Sequence, residues 1–423
     1  MLRDVKCPMR DGTELSTDVY LPAEGGPFPT LLLRTSYGKY TEPTARSIVH
    51  RAQQGYAVVS QDIRGRYDSP GIFYPFVNEV LDGHDAIEWA ATQPWSTGKV
   101  GTLGASYLGL TQWQAAQGGS PHLLASVPEV AYSNLYHNWV YTGGAFQLGF
   151  GLTWGFAAAG RTHQRRYMWF PDEVHMSTHY WHLPLINADE VTGRNIPHWK
   201  DWINHPSYDD YWRSMSPVDE HHSEIDTAAY NFAGWFDVFL QSSLDNFVGV
   251  TKSGKTERTR RHQKIIIGPW VHMLGYKGTE QITGDMDFGS NALIDLRDEE
   301  TRWFDYWLKG MDNGIVDEPR IKLFVMGVNR WREADDWPLP ETRYTPYYLH
   351  SDGKANSSFG DGALSTTQPE SEKPDEFVYD PEHPVITIGG STCCLESLTP
   401  VSMGPRDQRP NEYRPDVLVY TTP

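Results

Sequence analysis

The segment Val100-Gly-Thr-Leu-Gly104-Ala-Ser106-Tyr107-Leu108-Gly109 carries the pattern of a nucleophile. An apolar run leads into Gly-Ala-Ser-Tyr and then into a helical stretch, Leu108–Gln117. Strand, sharp turn and helix in that order make a nucleophile elbow, because the turn lifts a serine hydroxyl clear of the sheet. The helix start behind Ser106 would offer backbone N–H groups and a positive dipole end to a developing oxyanion. Leu108 stands where the common G-x-S-x-G pattern has its second glycine, and Gly109 is shifted by one. Read alone, Gly-x-Ser-x is equally compatible with a serine that caps a helix.

Two downstream segments alter that balance. Tyr230-Asn-Phe-Ala-Gly-Trp-Phe-Asp237 puts an aspartate just past an apolar run. Lys264-Ile-Ile-Ile-Gly-Pro-Trp-Val-His272 puts a histidine in the loop after the next one. An α/β hydrolase needs nucleophile, acid and base in the order Ser, Asp, His, each at the carboxyl end of a strand. In that reading His272 takes the Ser106 proton, while Asp237 holds the imidazole tautomer and stabilises the imidazolium. Singly, Asp237 and His272 read as ordinary loop residues. The ordered trio carries the expectation of a triad.

The elements that must hold these residues are also visible. Glu14–Leu21, Pro29–Arg34, Tyr56–Ser60 and Lys99–Leu103 read as strands, with helical patterns at Thr44–Gln54 and Glu79–Gln93 between them. Strands alternating with helices imply a parallel sheet covered on both faces. From Tyr132 the alternation stops, and Trp139, Trp154, Trp169, Trp181, Trp199, Trp202 and Trp212 crowd into short helical stretches, as in an inserted cap. Strand character returns at Ala228–Ala233 and Lys264–Ile267, followed by an amphipathic helix over Leu293–Leu308. After Gly314 the period becomes alternating, at Arg320–Met326, Tyr344–Leu349 and Asp416–Tyr420. The expected organisation is an α/β-hydrolase domain in two parts, 1–131 and 225–317, a helical cap over 132–224, and a β domain over 318–423. Three or four strands cannot close a sandwich, so the β domain is expected to be truncated at Pro423.

Charge and composition exclude other classes. The 423 residues hold 36 Lys+Arg against 54 Asp+Glu, a net charge of −18, which disfavours nucleic acid as a partner. No window approaches a membrane span, and the first residues lack the apolar core of a secretory signal. With three cysteines, two of them adjacent, no disulfide framework is expected; a cytosolic location is. A mean hydropathy of −0.53 beside 16 Trp and 23 Tyr describes a polar surface over an aromatic interior.

Taken together, the elbow, Ala-Gly-Trp-Phe-Asp237 and Gly-Pro-Trp-Val-His272 resemble the signature segments of the cocaine-esterase/X-Pro dipeptidyl-peptidase (CocE/NonD) family. Met9-Arg-Asp-Gly-Thr, Arg34-Thr-Ser-Tyr37, Asp62-Ile-Arg-Gly-Arg and Arg302-Trp-Phe-Asp-Tyr-Trp-Leu-Lys-Gly extend the resemblance along essentially the whole chain. The shifted Gly109 is that family's own pattern. The resemblance implies an α/β-hydrolase domain, an inserted helical cap, a C-terminal jelly-roll, and cofactor-independent serine hydrolysis of esters or of certain amides and peptides. By the same resemblance the Tyr37 phenol and the Tyr107 N–H would form the oxyanion hole. Phe239 would line the acyl pocket, although a core Phe at a helix start reads as well. Expected substrates are small esters or short peptides and amides, with no cofactor and no metal; the oligomeric state stays open.

An X-Pro dipeptidyl-peptidase or an α-amino-acid ester hydrolase is the alternative, and would need carboxylates for a substrate ammonium. Asp172, Glu173, Asp189 and Glu190 in the cap are available. A silent scaffold with an aromatic cap is a third reading, opposed by the intact trio. His175, His179 and His182 have helical spacing near Glu173 but no H-E-x-x-H, so they read as surface histidines. Asp62 and Arg64 read as a pair fixing a loop, with Gly65 and Gly71 serving its turns, and Cys393 and Cys394 as free thiols.

Overall fold

A computed structural model of the chain describes residues 1–40, 42–162, 179–274, 278–393 and 402–422. One ten-stranded sheet runs through it, formed by β1 (Leu2–Pro8), β2 (Glu14–Tyr20), β3 (Phe28–Thr35), β4 (Ala57–Asp62) and β5 (Ser96–Ala105). To these are added β6 (Leu123–Glu129), β7 (Ala228–Phe236), β8 (Gln263–Val271), β9 (Ile321–Val325) and β10 (Arg330–Ala334). The spatial order is β1-β2-β4-β3-β5-β6-β7-β8-β9-β10. Pairing is parallel from β4 through β9 and antiparallel at both margins. The central strands read as continuous apolar runs because both faces are covered: β4 is buried throughout, and β8 everywhere but its last residue.

Helices α1 (Glu42–Gln53), α2 (Glu79–Ala91) and α3 (Tyr107–Gln117) connect the early strands. Between β6 and β7 lies the helical insertion, with α4 (Leu148–Ala158) and α5 (Pro197–Asn204). After β7 come α6 (Leu240–Ser253) and, beyond β8, α7 (Leu296–Phe304). The sequence of α4, Leu-Gly-Phe-Gly-Leu-Thr-Trp-Gly-Phe-Ala-Ala, has no polar face, and Phe150–Ala158 is buried without a break. Leu152 and Phe156 of α4 pack with Ile196 and Trp199 in a small core of the insertion's own, but most of its rings join a larger one. Trp139, Trp154, Trp202 and Trp212 share one buried cluster with Tyr132 and with Phe76, Tyr107 and Phe239 of the sheet domain.

Three expectations meet a different structure. Arg320–Met326, read as the first strand of the β domain, pairs in register with β8 through Ile321, Lys322 and Leu323. Ile321 and Leu323 pack on Ala233, Phe247, Ile265 and Ile267, so this strand belongs to the sheet and crosses the boundary drawn at 318. Asp416–Tyr420 forms no strand; the Val419 N–H donates to the Ala355 carbonyl at 2.8 Å, and Thr421 bridges to Ala363. Cys393 is disulfide-bonded rather than free, and Cys394 lies outside the described residues. Among the described residues the free thiol is Cys7, pushed up to about 12 by burial and therefore inert as a nucleophile. In the C-terminal part, Tyr348–His350 pairs antiparallel with Ala363–Ser365. No helix among the described residues is long and apolar enough to cross a membrane.

Candidate active site

Ser106 sits between β5 and α3 with φ 63° and ψ −120°, a conformation that L side chains avoid unless the surroundings enforce it. The enforcement is visible. The Ser106 N–H donates to the Glu129 carbonyl at 2.9 Å, and its own carbonyl accepts from the Gly109 N–H at 2.8 Å. A Cβ on Gly104 would lie 2.6 Å from the Leu108 Cβ, and one on Gly109 would lie 2.7 Å from the Ala131 Cβ. The shifted glycine thus has a packing cause: the start of α3 is pressed against the chain leaving β6.

Asp237 and His272 follow adjacent parallel strands, paired Gly234 with Gly268 and, past a one-residue register shift, Phe236 with Val271. The two loops therefore begin side by side. His272 Nδ1 is 2.8 Å from Asp237 Oδ1, with both side chains almost wholly buried. The Phe239 ring stands edge-on to the His272 ring at 5.3 Å and packs against Tyr132 at 4.8 Å. Both the pocket and the core reading of Phe239 fit this position, because it is buried and also touches the imidazole.

Tyr37 follows β3, its N–H donating to Thr35 Oγ1 at 2.9 Å. Its phenol oxygen accepts from Trp154 Nε1–H at 3.1 Å, and the Ser36 and Ser106 side chains also act on it. Burial raises this phenol above its ordinary range, more than those partners lower it, so it stays protonated and can donate. The ring of Tyr107 lies 6.1 Å away, edge-on. Tyr107 donates its own hydroxyl to Glu79 Oε1 at 3.1 Å, and Glu79 Oε2 pairs with Arg34 at 2.8 Å. Burial raises the Glu79 carboxyl, and the Arg34 guanidinium opposes that shift. Arg34, three residues before Tyr37, also donates to Gln61 at 2.9 Å. One buried ion pair thus braces both segments expected to carry oxyanion donors.

Arg66 is a further buried cation beside the site. Among the described residues it has no carboxylate in hydrogen-bond reach, and it donates to the carbonyls of Ser36 (2.9 Å), Ala158 (2.8 Å) and Gly160, with the Phe73 ring 4.7 Å away. Burial lowers its pKa. Asp62 and Arg64, expected to act as a pair, take separate partners: Asp62 accepts the Lys39 N–H at 2.6 Å, and Arg64 pairs with Asp82 at 2.6 Å. Among the described residues Ser106 makes no hydrogen bond to His272, and such catalytic bonds often tighten only when substrate binds.

The remaining candidates lie apart. Glu190 pairs with Lys200 at 2.9 Å, and the buried Asp189 is 4.0 Å from the same ammonium. Asp172, Glu173 and His175 lie outside the described residues. His179 Nε2 meets the Val191 carbonyl at 3.1 Å, and no group of three potential ligands among the described residues could hold a metal ion. A cavity of about 520 Å³, lined in part by Phe73, Ala158, Arg194 and His198, includes none of the expected site residues in its wall. Sequence reading missed Trp154, Arg66 and Glu79. Trp154 is one tryptophan among many, and Glu79 reads as an ordinary first-turn acid of α2.

Comparison with known proteins bears on the whole chain. Residues 11–274 match the X-Pro dipeptidyl-peptidase (S15 family) model, and residues 313–423 match the X-Pro dipeptidyl-peptidase C-terminal non-catalytic domain. Cocaine esterase of Rhodococcus sp. (strain MB1 Bresler) is 36% identical over 99% of this chain and 74% of its own length. An aminopeptidase from a Thaumarchaeota archaeon superposes with a TM-score of 0.74 at 24% identity, covering 90% of this chain and 65% of that one. An α-amino acid ester hydrolase superposes at 0.69 and 22%, covering 88% of this chain and 64% of that one. The chain therefore spans under two thirds of these two structures. With the order Ser, Asp, His at strand ends and these matches, the chain belongs to the cocaine-esterase/X-Pro dipeptidyl-peptidase family of α/β-hydrolases.

Proposed function

We propose that this chain is a serine hydrolase that cleaves carboxylic esters through an acyl-enzyme. The observation that carries the reading is the buried 2.8 Å contact between Asp237 and His272, taken together with a serine at φ 63° on the strand-to-helix turn. With Nδ1 engaged by Asp237, Nε2 of His272 is left to take the Ser106 proton as Oγ attacks the ester carbonyl. The oxyanion of the tetrahedral intermediate is held by the Tyr37 hydroxyl and the Tyr107 N–H, one of the first N–H groups of α3 with no intrahelical acceptor. His272 then protonates the leaving alcohol, the carbon–oxygen bond breaks, and water repeats the sequence on the acyl-enzyme. Phe239 forms the acyl-side wall against His272.

The family model's name supports a second reading, peptidase action on X-Pro substrates. That reaction requires a carboxylate free to receive an ammonium, and Asp189 and Glu190 both face Lys200 instead. A panel of aryl esters, amino-acid esters and Gly-Pro anilides separates the two. The ester reading expects aryl esters to be cleaved fastest, with a burst of the first product. Comparable kcat/KM on the Gly-Pro anilide would favour the peptidase, and hydrolysis of none of the three would contradict both.

A further inference from the structure

We propose that Trp154, on cap helix α4, is a positioning residue that holds the Tyr37 phenol in its donating orientation, so that the cap supplies part of the oxyanion hole. The inference rests on the reading of Tyr37 as an oxyanion donor. An indole N–H can only donate, so the 3.1 Å contact has one direction: Trp154 gives and the phenol oxygen accepts. That occupies an acceptor site on the phenol and leaves its proton for another partner. Accepting a hydrogen bond also polarises the O–H bond, which strengthens it as a donor.

The indole is held in place on several sides. It stacks on Tyr107 (6.2 Å, 11°), Phe76 (6.0 Å, 23°) and Trp202 (6.4 Å, 28°), and Trp139 crosses it at 4.6 Å and 87°. Among the described residues, the other indole N–H groups with hydrogen bonds, those of Trp199, Trp212 and Trp235, reach backbone carbonyls. The Trp154 N–H reaches a side chain. The helix end is fixed to the same loop: Arg66 joins the Ala158 carbonyl at the end of α4 to the carbonyl of Ser36, the residue before Tyr37. Helix and phenol are thereby held in one frame.

The test is a double-mutant cycle on ester hydrolysis with Trp154→Phe, Tyr37→Phe and the pair. Trp154→Phe should lower kcat by about 5- to 10-fold, the value of one neutral hydrogen bond, with KM within about twofold. In the Tyr37→Phe background the same substitution should change kcat by less than about twofold, because the group it acts through is gone. Losses that multiply, or an unchanged kcat in Trp154→Phe, would overturn the proposal while leaving Tyr37 as a donor. An unchanged kcat in Tyr37→Phe would overturn the oxyanion reading itself, and this proposal with it. Where Trp154→Phe does not fold by near-ultraviolet circular dichroism, benzothienylalanine at position 154 exchanges only the N–H for sulfur and reads the same cycle.

Discussion

The ends of β3, β5, β7 and β8 deliver polar groups to the candidate site, whereas the cap delivers rings. Asp237 and His272 meet because two adjacent parallel strands end side by side, with a one-residue register shift before Val271, and their side chains make the 2.8 Å contact. Trp139, Trp154 and Trp202 are placed by mutual ring contacts, edge-on and stacked, with no sheet to fix them. The difference separates two kinds of precision. Strand ends place atoms by hydrogen-bond register, which a single side-chain change leaves intact. A ring cluster places atoms by mutual exclusion, where each side chain's position depends on its neighbours. The polar half should thus fail residue by residue, and the aromatic half by coupled effects.

The sharpest way to break the polar half is Ser106→Ala. The expected loss of ester hydrolysis is about 10⁶-fold with the fold unchanged. Activity above about a hundredth of the parent would remove Ser106 from its role. Next in size is Glu79→Ala, which strands the Arg34 guanidinium in the interior. The expected cost is about 3–5 kcal/mol of unfolding free energy, read by denaturant unfolding. A cost under about 1 kcal/mol would mean the pair does not brace the two donor segments. Tyr37→Phe removes one hydroxyl and should lower kcat about 100-fold with little change in KM. A raised KM with kcat unchanged would make Tyr37 a substrate-binding residue instead.

The smallest effect probes the cap through His198, which is buried against Tyr74 and Trp202. Burial first, and the Arg66 charge second, depress its pKa from 6.5 to about 3. The folded protein therefore keeps this imidazole neutral where the unfolded chain protonates it. Stability linked to His198 is present above the unfolded value and lost as pH falls from about 6.5 toward about 3. His198→Phe should flatten unfolding free energy against pH by about one proton across that window. An unchanged slope would show that the imidazole is not shielded.

The same contrast governs how much could be read in advance. Apolar runs gave away β3, β4, β5, β7 and β8, because strands buried on both faces leave a continuous signal, whereas alternation gave away β2. The candidates Ser106, Asp237 and His272 stood out by their order and by the strands preceding them. β1 was not, since its charged residues are mostly exposed at a sheet margin. β9 was assigned to the wrong layer, because its alternation suits a sandwich and a sheet equally and the partner strand is not encoded locally. The crowding of tryptophans marked the cap, but nothing in their spacing distinguishes Trp154, whose N–H meets Tyr37, from Trp202, whose carbonyl rather than indole finds a partner. Arg66 was unreadable for a related reason: its partners are carbonyls, which every residue has.

The central claim is that Ser106 is the nucleophile, and covalent labelling tests it most directly. The intact 423-residue protein is treated with a fluorophosphonate, weighed by mass spectrometry, digested, and the modified peptide sequenced. The account predicts one adduct per chain, on Ser106, formed in step with loss of ester hydrolysis and absent from Ser106→Ala. An adduct on another residue, or full hydrolysis by a protein that takes no label, would contradict it.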